Sequence, residues 1–179
     1  MIKSDYNKYK KYGGNFISII FFTQGFWAIF QYRVANYFYR NFKISGIRQL
    51  VLALLLVWQK AIEILTGISI PASVTIGHSF YIGHFGGIIL NSKTIIGNNC
   101  NISQGVTIGV SGSRENRGVP IIGNNVYIAA NAIVTGKIKV EDNAVLGANS
   151  LIKNNVYKNQ VVLGVPATVV STKGSSAYI

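Results

Sequence analysis

Two histidines and one cysteine are the groups in this 179-residue chain best suited to proton transfer or nucleophilic attack near neutral pH. His84 stands in the stretch Ile82–Gly97, IGHFGGIILNSKTIIG, with Gly83, Gly86 and Gly87 around it. An imidazole, with an ordinary pKa of ~6.5, can take a proton at working pH. The glycines leave room for reactants to approach it. His78 lies six residues earlier. Cys100 occupies a position that calls for a small buried side chain, and reads as packing. Two histidines without a Cys-x-x-Cys pair argue against a three-histidine zinc site, so no metal is expected. Arg114, Glu115 and Arg117 form the densest charge cluster in the second half of the chain and could meet an anionic ligand.

These groups sit on a repeat. Aliphatic residues recur every six positions at Ile70, Ile76 and Ile82, then at Leu90, Ile96, Ile102 and Ile108, and again at Ile122, Ile128, Val134, Val140, Leu146 and Ile152. Four residues after most of them the side chain is small or β-branched, as at Val74, Thr94, Cys100, Val106, Val126, Ala132, Ala144 and Ser150. A 3.6-residue helix cannot keep period six on one face, and an ordinary sheet has period two. Three hexads closing one triangular coil can, with the aliphatic residues stacked inside. Glycine and asparagine at Gly97-Asn98-Asn99 and Gly123-Asn124-Asn125 tolerate left-handed backbone at the corners. Thirteen slots make a little over four coils. The period breaks twice: the step from Ile82 to Leu90 is eight, two extra residues read as following His84, and the step from Ile108 to Ile122 is fourteen. Insertions in such folds map to surface loops.

Before Gly67 the pattern is helical, with helices expected over about 23–41 and 45–66, the second ending at Gly67. Residues 13–32 carry no charge. Their length could span a bilayer, but Asn15, Thr23, Gln24 and Gln31 favour a membrane-surface or partner-packed helix. The organisation expected is a helical segment at 1–67 for trimer or membrane association, a β-helix domain at 68–170 and a tail at 171–179. Lys and Arg number 17 against 5 Asp and Glu, a net charge of +12 concentrated in the first fifty residues. That balance favours an anionic partner. No nucleic-acid motif accompanies it. A single cysteine fits the cytoplasm, and the basic start is not a secretory signal.

The repeat resembles the hexapeptide-repeat, left-handed parallel β-helix acyltransferases, over residues 68 to 170. The fold class implied is mainly β, a left-handed parallel β-helix with an N-terminal pair of helices. The string from Ile82 to Gly109 is similar to the serine O-acetyltransferases, with the same histidine, bulge and Gln104-x-Val106-Thr107-Ile108-Gly109 pattern. Gly164-Val165-Pro166-Ala167 resembles a closing motif of that fold. Two departures stand out: Gly83 where the serine enzymes have aspartate, and Val119 where they have a second histidine. Together with the short apolar N-terminus, they make the chain resemble the surface-polysaccharide branch, including the colanic-acid type. The resemblance implies acetyl transfer from acetyl-CoA to a hydroxyl of a glycan or glycan-lipid precursor, with His84 as general base and no protein nucleophile. It implies cofactor contacts at Ala130, Ala148, Lys153, Gly164, Pro166 and Ala167; the glycine-rich wall adds Gly109 as an oxyanion donor beside the cofactor, and the charge of the second insertion offers acceptor contacts at Arg114, Glu115 and Arg117. It further implies a homotrimer, and the apolar N-terminal segment adds an expected peripheral membrane contact through residues 13–66, at the inner face of the cytoplasmic membrane. The alternatives are serine O-acetyltransferase activity and a non-catalytic trimeric scaffold for membrane glycosyltransferases. A main-chain carbonyl, Glu115 or a neighbouring subunit could orient His84 in place of the aspartate.

Overall fold

The computed structural model describes residues 1–44 and 46–179. Among the described residues four helices precede the repeat, not two: Ile2–Lys11 (α1), Phe16–Phe22 (α2), Gln24–Asn41 (α3) and Ile47–Thr66 (α4). The expected second helix began at residue 45, which lies outside the described residues. The helix α1 escaped the sequence reading because its apolar face, Ile2, Tyr6 and Tyr9, is short and set among four lysines and an aspartate. Its charges suit the helix dipole, with Asp5 in the first turn and Lys8, Lys10 and Lys11 in the last. The uncharged run 13–32 is not one helix. Asn15 and Ser18 form a capping box that starts α2. Thr23 then adopts extended backbone, φ −113° and ψ 96°, so the chain breaks before α3. Gly67 ends α4 in the left-handed region, φ 65°, donating its N–H to the Glu63 carbonyl.

From Ile68 the chain winds through short strands: Ile68–Ser69 (β1), Thr75–Ile76 (β2), Tyr81–Ile82 (β3), Ile88–Leu90 (β4), Ile95–Ile96 (β5), Asn101–Ile102 (β6), Thr107–Gly109 (β7), Ile121–Ile122 (β8), Tyr127–Ile128 (β9), Ile133–Thr135 (β10), Lys139–Val140 (β11), Val145–Leu146 (β12), Leu151–Ile152 (β13), Val161–Gly164 (β14) and Ala167–Ser171 (β15). Every third strand pairs in parallel. The first face is β1-β4-β7-β10-β13, the second β2-β5-β8-β11, and the third β3-β6-β9-β12-β14, which β15 closes antiparallel to β14. Val156 continues the second face by a parallel bridge to Val140. Four full coils and a fifth make a triangular prism, the left-handed β-helix the hexads require. All thirteen aliphatic slots are buried, and so are the eight small or β-branched positions between them.

A second layer fastens the helices to this prism. Arg33 of α3 lies 2.8 Å from the Asp5 carboxylate of α1 and donates to the carbonyls of Ile76 and Gly77. Asp5 in turn accepts from the Phe80 N–H. Both partners are buried, so each charge depends on the other for solvation. Tyr9 donates to the Ile82 carbonyl and Tyr32 to that of Val74. Where the second and third faces meet, Asn99, Asn125, Asn143 and Asn159 all have positive φ. They pass side-chain hydrogen bonds from one to the next. The Lys8 ammonium caps this ladder by donating to Asn99 Oδ1 at 2.8 Å. Burial, ahead of its charged neighbours, pulls the Lys8 pKa down to about 8.

Candidate active site

His84 lies on the prism edge where the chain passes from the third face to the first. Main-chain pairing identifies what the first insertion is. Gly83 N–H donates to the Ile102 carbonyl as Ser103 N–H does to Ile128. The Gly86 carbonyl accepts from Gly105 N–H as the Gln104 carbonyl does from Asn131. Between these matched pairs the only unmatched residues are His84 and Phe85. The two extra residues therefore are His84 and its neighbour, not a pair that follows it. The repeat ejects the imidazole from the coil, and both residues are exposed.

Below them the edge is built from residues with little or no side chain. A Cβ on Gly67 would come within 3.1 Å of Gly86 Cα and Gly87 N, and one on Gly87 within 3.3 Å of Gly105 Cα. Next along the edge, Asn131 and Asn149, both at positive φ, are joined by a side-chain hydrogen bond. Ala130 and Ala148 stand on this same edge, one and two coils beyond Gln104, and the Asn149 N–H donates to the Ala130 carbonyl. The Gly164–Ala167 turn, between β14 and β15, closes the prism's last coil. His84, Ala130, Ala148 and the closing turn thus follow one line.

Arg114, Glu115, Arg117 and Lys153 do not join it. The second insertion is a small hairpin, bridged at Ser111 and Gly118, with a single 3₁₀ turn at Arg114–Asn116. It leaves the prism between the first and second faces, beside Lys137, whose ammonium donates to the Glu115 carbonyl. Gly109 ends β7 at the root of this hairpin. Lys153 is on the same edge, and with Ala167 it lines a hollow of about 280 Å³ at the end of the last coil. Within one chain the whole width of the first face separates the hairpin from His84. His78 lies on the third edge, its Nδ1 within 3.1 Å of the Ser79 hydroxyl, away from His84. Cys100 is buried, and burial raises its thiol pKa to about 11, which removes it as a nucleophile.

Beside His84 a cleft of about 230 Å³ is lined by Tyr12, Tyr81, Asn101, Tyr127 and Tyr178. Tyr81 stacks on Tyr12 at 4.4 Å, and burial raises its pKa. Tyr178 of the tail stacks on Tyr127 at 4.9 Å, with the ring planes 5° apart. Its carbonyl accepts from the Tyr12 hydroxyl and from Asn101 Nδ2. Asn101 Oδ1 is buried without a partner among the described residues. The sequence reading missed this wall. Its signal was there: Tyr81, Asn101 and Tyr127 each precede an inward aliphatic, three hexads apart once the first insertion and the hairpin are discounted, so they stack outside the third face. A Cβ on Gly83 would meet the Tyr81 ring at 3.3 Å, so the space a side chain at residue 83 would enter is partly taken. Among the described residues no cluster of three or more His, Cys, Asp or Glu is placed to hold a metal ion.

A family model described as bacterial transferase hexapeptide (six repeats) matches residues 120–154. A serine acetyltransferase of Staphylococcus epidermidis is 32% identical over 158 residues, 88% of this chain and 70% of that protein. The chain belongs to the serine acetyltransferase family. Its Synechococcus elongatus relative is 31% identical over 160 residues, covering 89% of this chain and 62% of the other. A solved serine acetyltransferase complex with CoA superimposes at a TM-score of 0.78 with 28% identity, over 94% of this chain and 68% of that one. The Neisseria gonorrhoeae serine acetyltransferase does so at 0.82 with 27% identity, over 95% and 63%. This family is one of acetyl-CoA-dependent acyltransferases.

These relatives overturn the polysaccharide branch expected from the sequence, and with it the glycan acceptor. Serine acetyltransferase, the alternative weighed there, is the reading they support. The polysaccharide expectation rested on Gly83, Val119 and the short apolar N-terminus, which are local departures. Family membership rests on identity across 158 residues.

Proposed function

We propose that this chain transfers acetyl from acetyl-CoA to the hydroxyl of serine, with His84 as the general base. The observation that carries the reading is the alignment of an ejected, exposed imidazole with a file of glycine, asparagine and alanine along one edge. Small residues there leave main-chain groups open to a long, narrow thioester arm. The coenzyme supplies an activated acetyl carbonyl when bound. His84 accepts the proton from the attacking hydroxyl and returns it to the departing thiolate sulfur. Main-chain N–H groups, which a glycine-rich corner exposes, are the donors available to the oxyanion. Ala130, Ala148, Gly164, Pro166 and Ala167 would flank the arm, and Lys153, off that line but sharing a hollow with Ala167 at the end of the last coil, would meet its polar end there.

The hairpin bearing Arg114, Glu115 and Arg117 reaches a His84 edge only if it comes from another copy. A homotrimer that sets the first face of each chain against its neighbour meets this need, with Gly109 and the hairpin facing the next chain's cleft. Acetyl-CoA and free serine together make the cytoplasm the setting for this reaction.

The test is serine-dependent CoA release by the purified chain. The wild type turns over, and His84→Ala loses roughly 10²- to 10⁴-fold in kcat while keeping its oligomeric mass and CoA binding. A wild type that releases no CoA with serine sinks the acceptor. A fully active His84→Ala protein sinks the mechanism.

A further inference from the structure

Among the described residues, a large apolar face of the N-terminal helices has no partner. Leu50–Trp58 is an unbroken apolar run, LVLALLLVW, on α4. Leu54 and Val57 on it are 63% and 68% exposed. On α2, Phe21 and Phe22 are exposed to a similar degree. The two helices are not separate patches. An apolar hollow of about 330 Å³ lies between them, lined by Ile20 of α2, Phe26 and Phe30 of α3, and Trp58 and Ile62 of α4. An exposed apolar surface of this extent marks a binding face.

Charge decides among its occupants. Residues 1–66 hold nine Lys and Arg against two acids, Asp5 and Glu63, and with Lys8 and Arg33 buried and Lys60 paired to Glu63, six cations remain for an outside partner. Both acids are consumed internally: Asp5 by Arg33, and Glu63 by Lys60, Gln59 and Ser69. Each apolar helix is entered through basic residues, α2 after Lys10 and Lys11, α4 through Lys43 and Arg48. A second copy docked on this face by a two-fold would set like charge against like. A lipid surface bearing anionic headgroups satisfies both the apolar face and its basic margins.

We propose that α2 and α4 dock the protein on an anionic bilayer, lying in its interface rather than crossing it. By length and composition α4 could span a membrane, the one such helix among the described residues. Its attachments forbid that. Gln59 and Thr66 are buried, Gln31 of α3 bonds to the Leu55 carbonyl, and Ile62 packs on the core. One side of α4 is therefore held by protein from Leu55 to Thr66, and the other side is free for lipid.

The test reads binding, not turnover, so it stands or falls apart from the catalytic reading. The full chain is floated with phosphatidylcholine vesicles and with vesicles in which about a third of the lipid is phosphatidylglycerol. The anionic vesicles carry it, roughly ten-fold or more over neutral ones, and salt weakens the association. Leu54→Glu/Val57→Glu, at two exposed positions, removes binding without changing circular dichroism. Lys43→Glu/Arg48→Glu removes the preference for anionic lipid. The proposal is overturned if the wild type does not float. It is overturned equally if the Leu54→Glu/Val57→Glu protein floats as well as the wild type. Failure to float together with a solution mass that falls in the Leu54→Glu/Val57→Glu variant would assign the face to a second copy.

Discussion

Gly67, the residue that stops α4, lies against Gly87 in the loop that carries His84. The Gly67 carbonyl accepts from Ile88 N–H at 3.0 Å, and a Cβ on Gly67 would stand 3.1 Å from Gly87 N. A helix terminus is thus the floor beneath His84. Gly67→Ala combines strain at φ 65° with pressure on that loop. It should cost about 1 kcal/mol or more of stability in denaturant titration. It should also lower kcat several-fold through displacement of His84, whereas Gly46→Ala, which meets nothing within 4 Å, should leave kcat alone.

The Arg33–Asp5 pair joins α1, α3 and the second coil. Removing one partner leaves a buried charge unpaired, so Asp5→Ala should cost roughly 3–5 kcal/mol in chemical unfolding. Replacing both, as Asp5→Leu/Arg33→Met, should recover part of that loss. A double variant no better than the single would show that the two side chains are not coupled.

Lys8 gives the protein a pH-dependent stability. Its folded pKa of about 8 lies below the ordinary 10.5, because burial disfavours the ammonium. Between those values the unfolded chain holds the extra proton, so this residue's contribution makes stability rise with pH from about 8 to 10.5. Thermal melts of wild type and Lys8→Met across that window should differ in slope, with the variant flatter.

Cys100 is inert in the native state. A thiol reagent should label it only at the rate of global unfolding. Cys100→Ala should keep kcat and lose on the order of 1 kcal/mol of stability from the vacated volume. Labelling as fast as that of a free thiol would contradict its burial.

Tyr178 forms a removable wall of the His84 cleft. Tyr178→Ala deletes the stack on Tyr127, and it should raise the acceptor KM about three- to ten-fold with little change in kcat. Unchanged KM would mean that the acceptor does not touch the tail.

The hexad spacing determined the prism, because a period of six admits one solution in which aliphatic slots stack inside three faces, and each slot from Ile70 to Ile152 is buried. It also exposed both insertions, since only a regular repeat makes an irregularity visible. His84 was legible for that reason. The polar α1 was not, because it is placed by contacts with distant segments: Asp5 with Arg33, Tyr9 with the Ile82 carbonyl and Lys8 with Asn99.

What only the tertiary structure decided is which residues share an edge. Main-chain pairing showed that His84 and Phe85 are themselves the inserted residues. The winding of the coil set Arg114, Glu115 and Arg117 one face away from His84, although sequence had grouped them in one site. It brought Tyr12 and Tyr178, 166 residues apart, to the same cleft. Spacing along a repeat states which face a side chain meets. Where helices and a tail fold back over that face is a matter of packing between distant segments, and no local period records it.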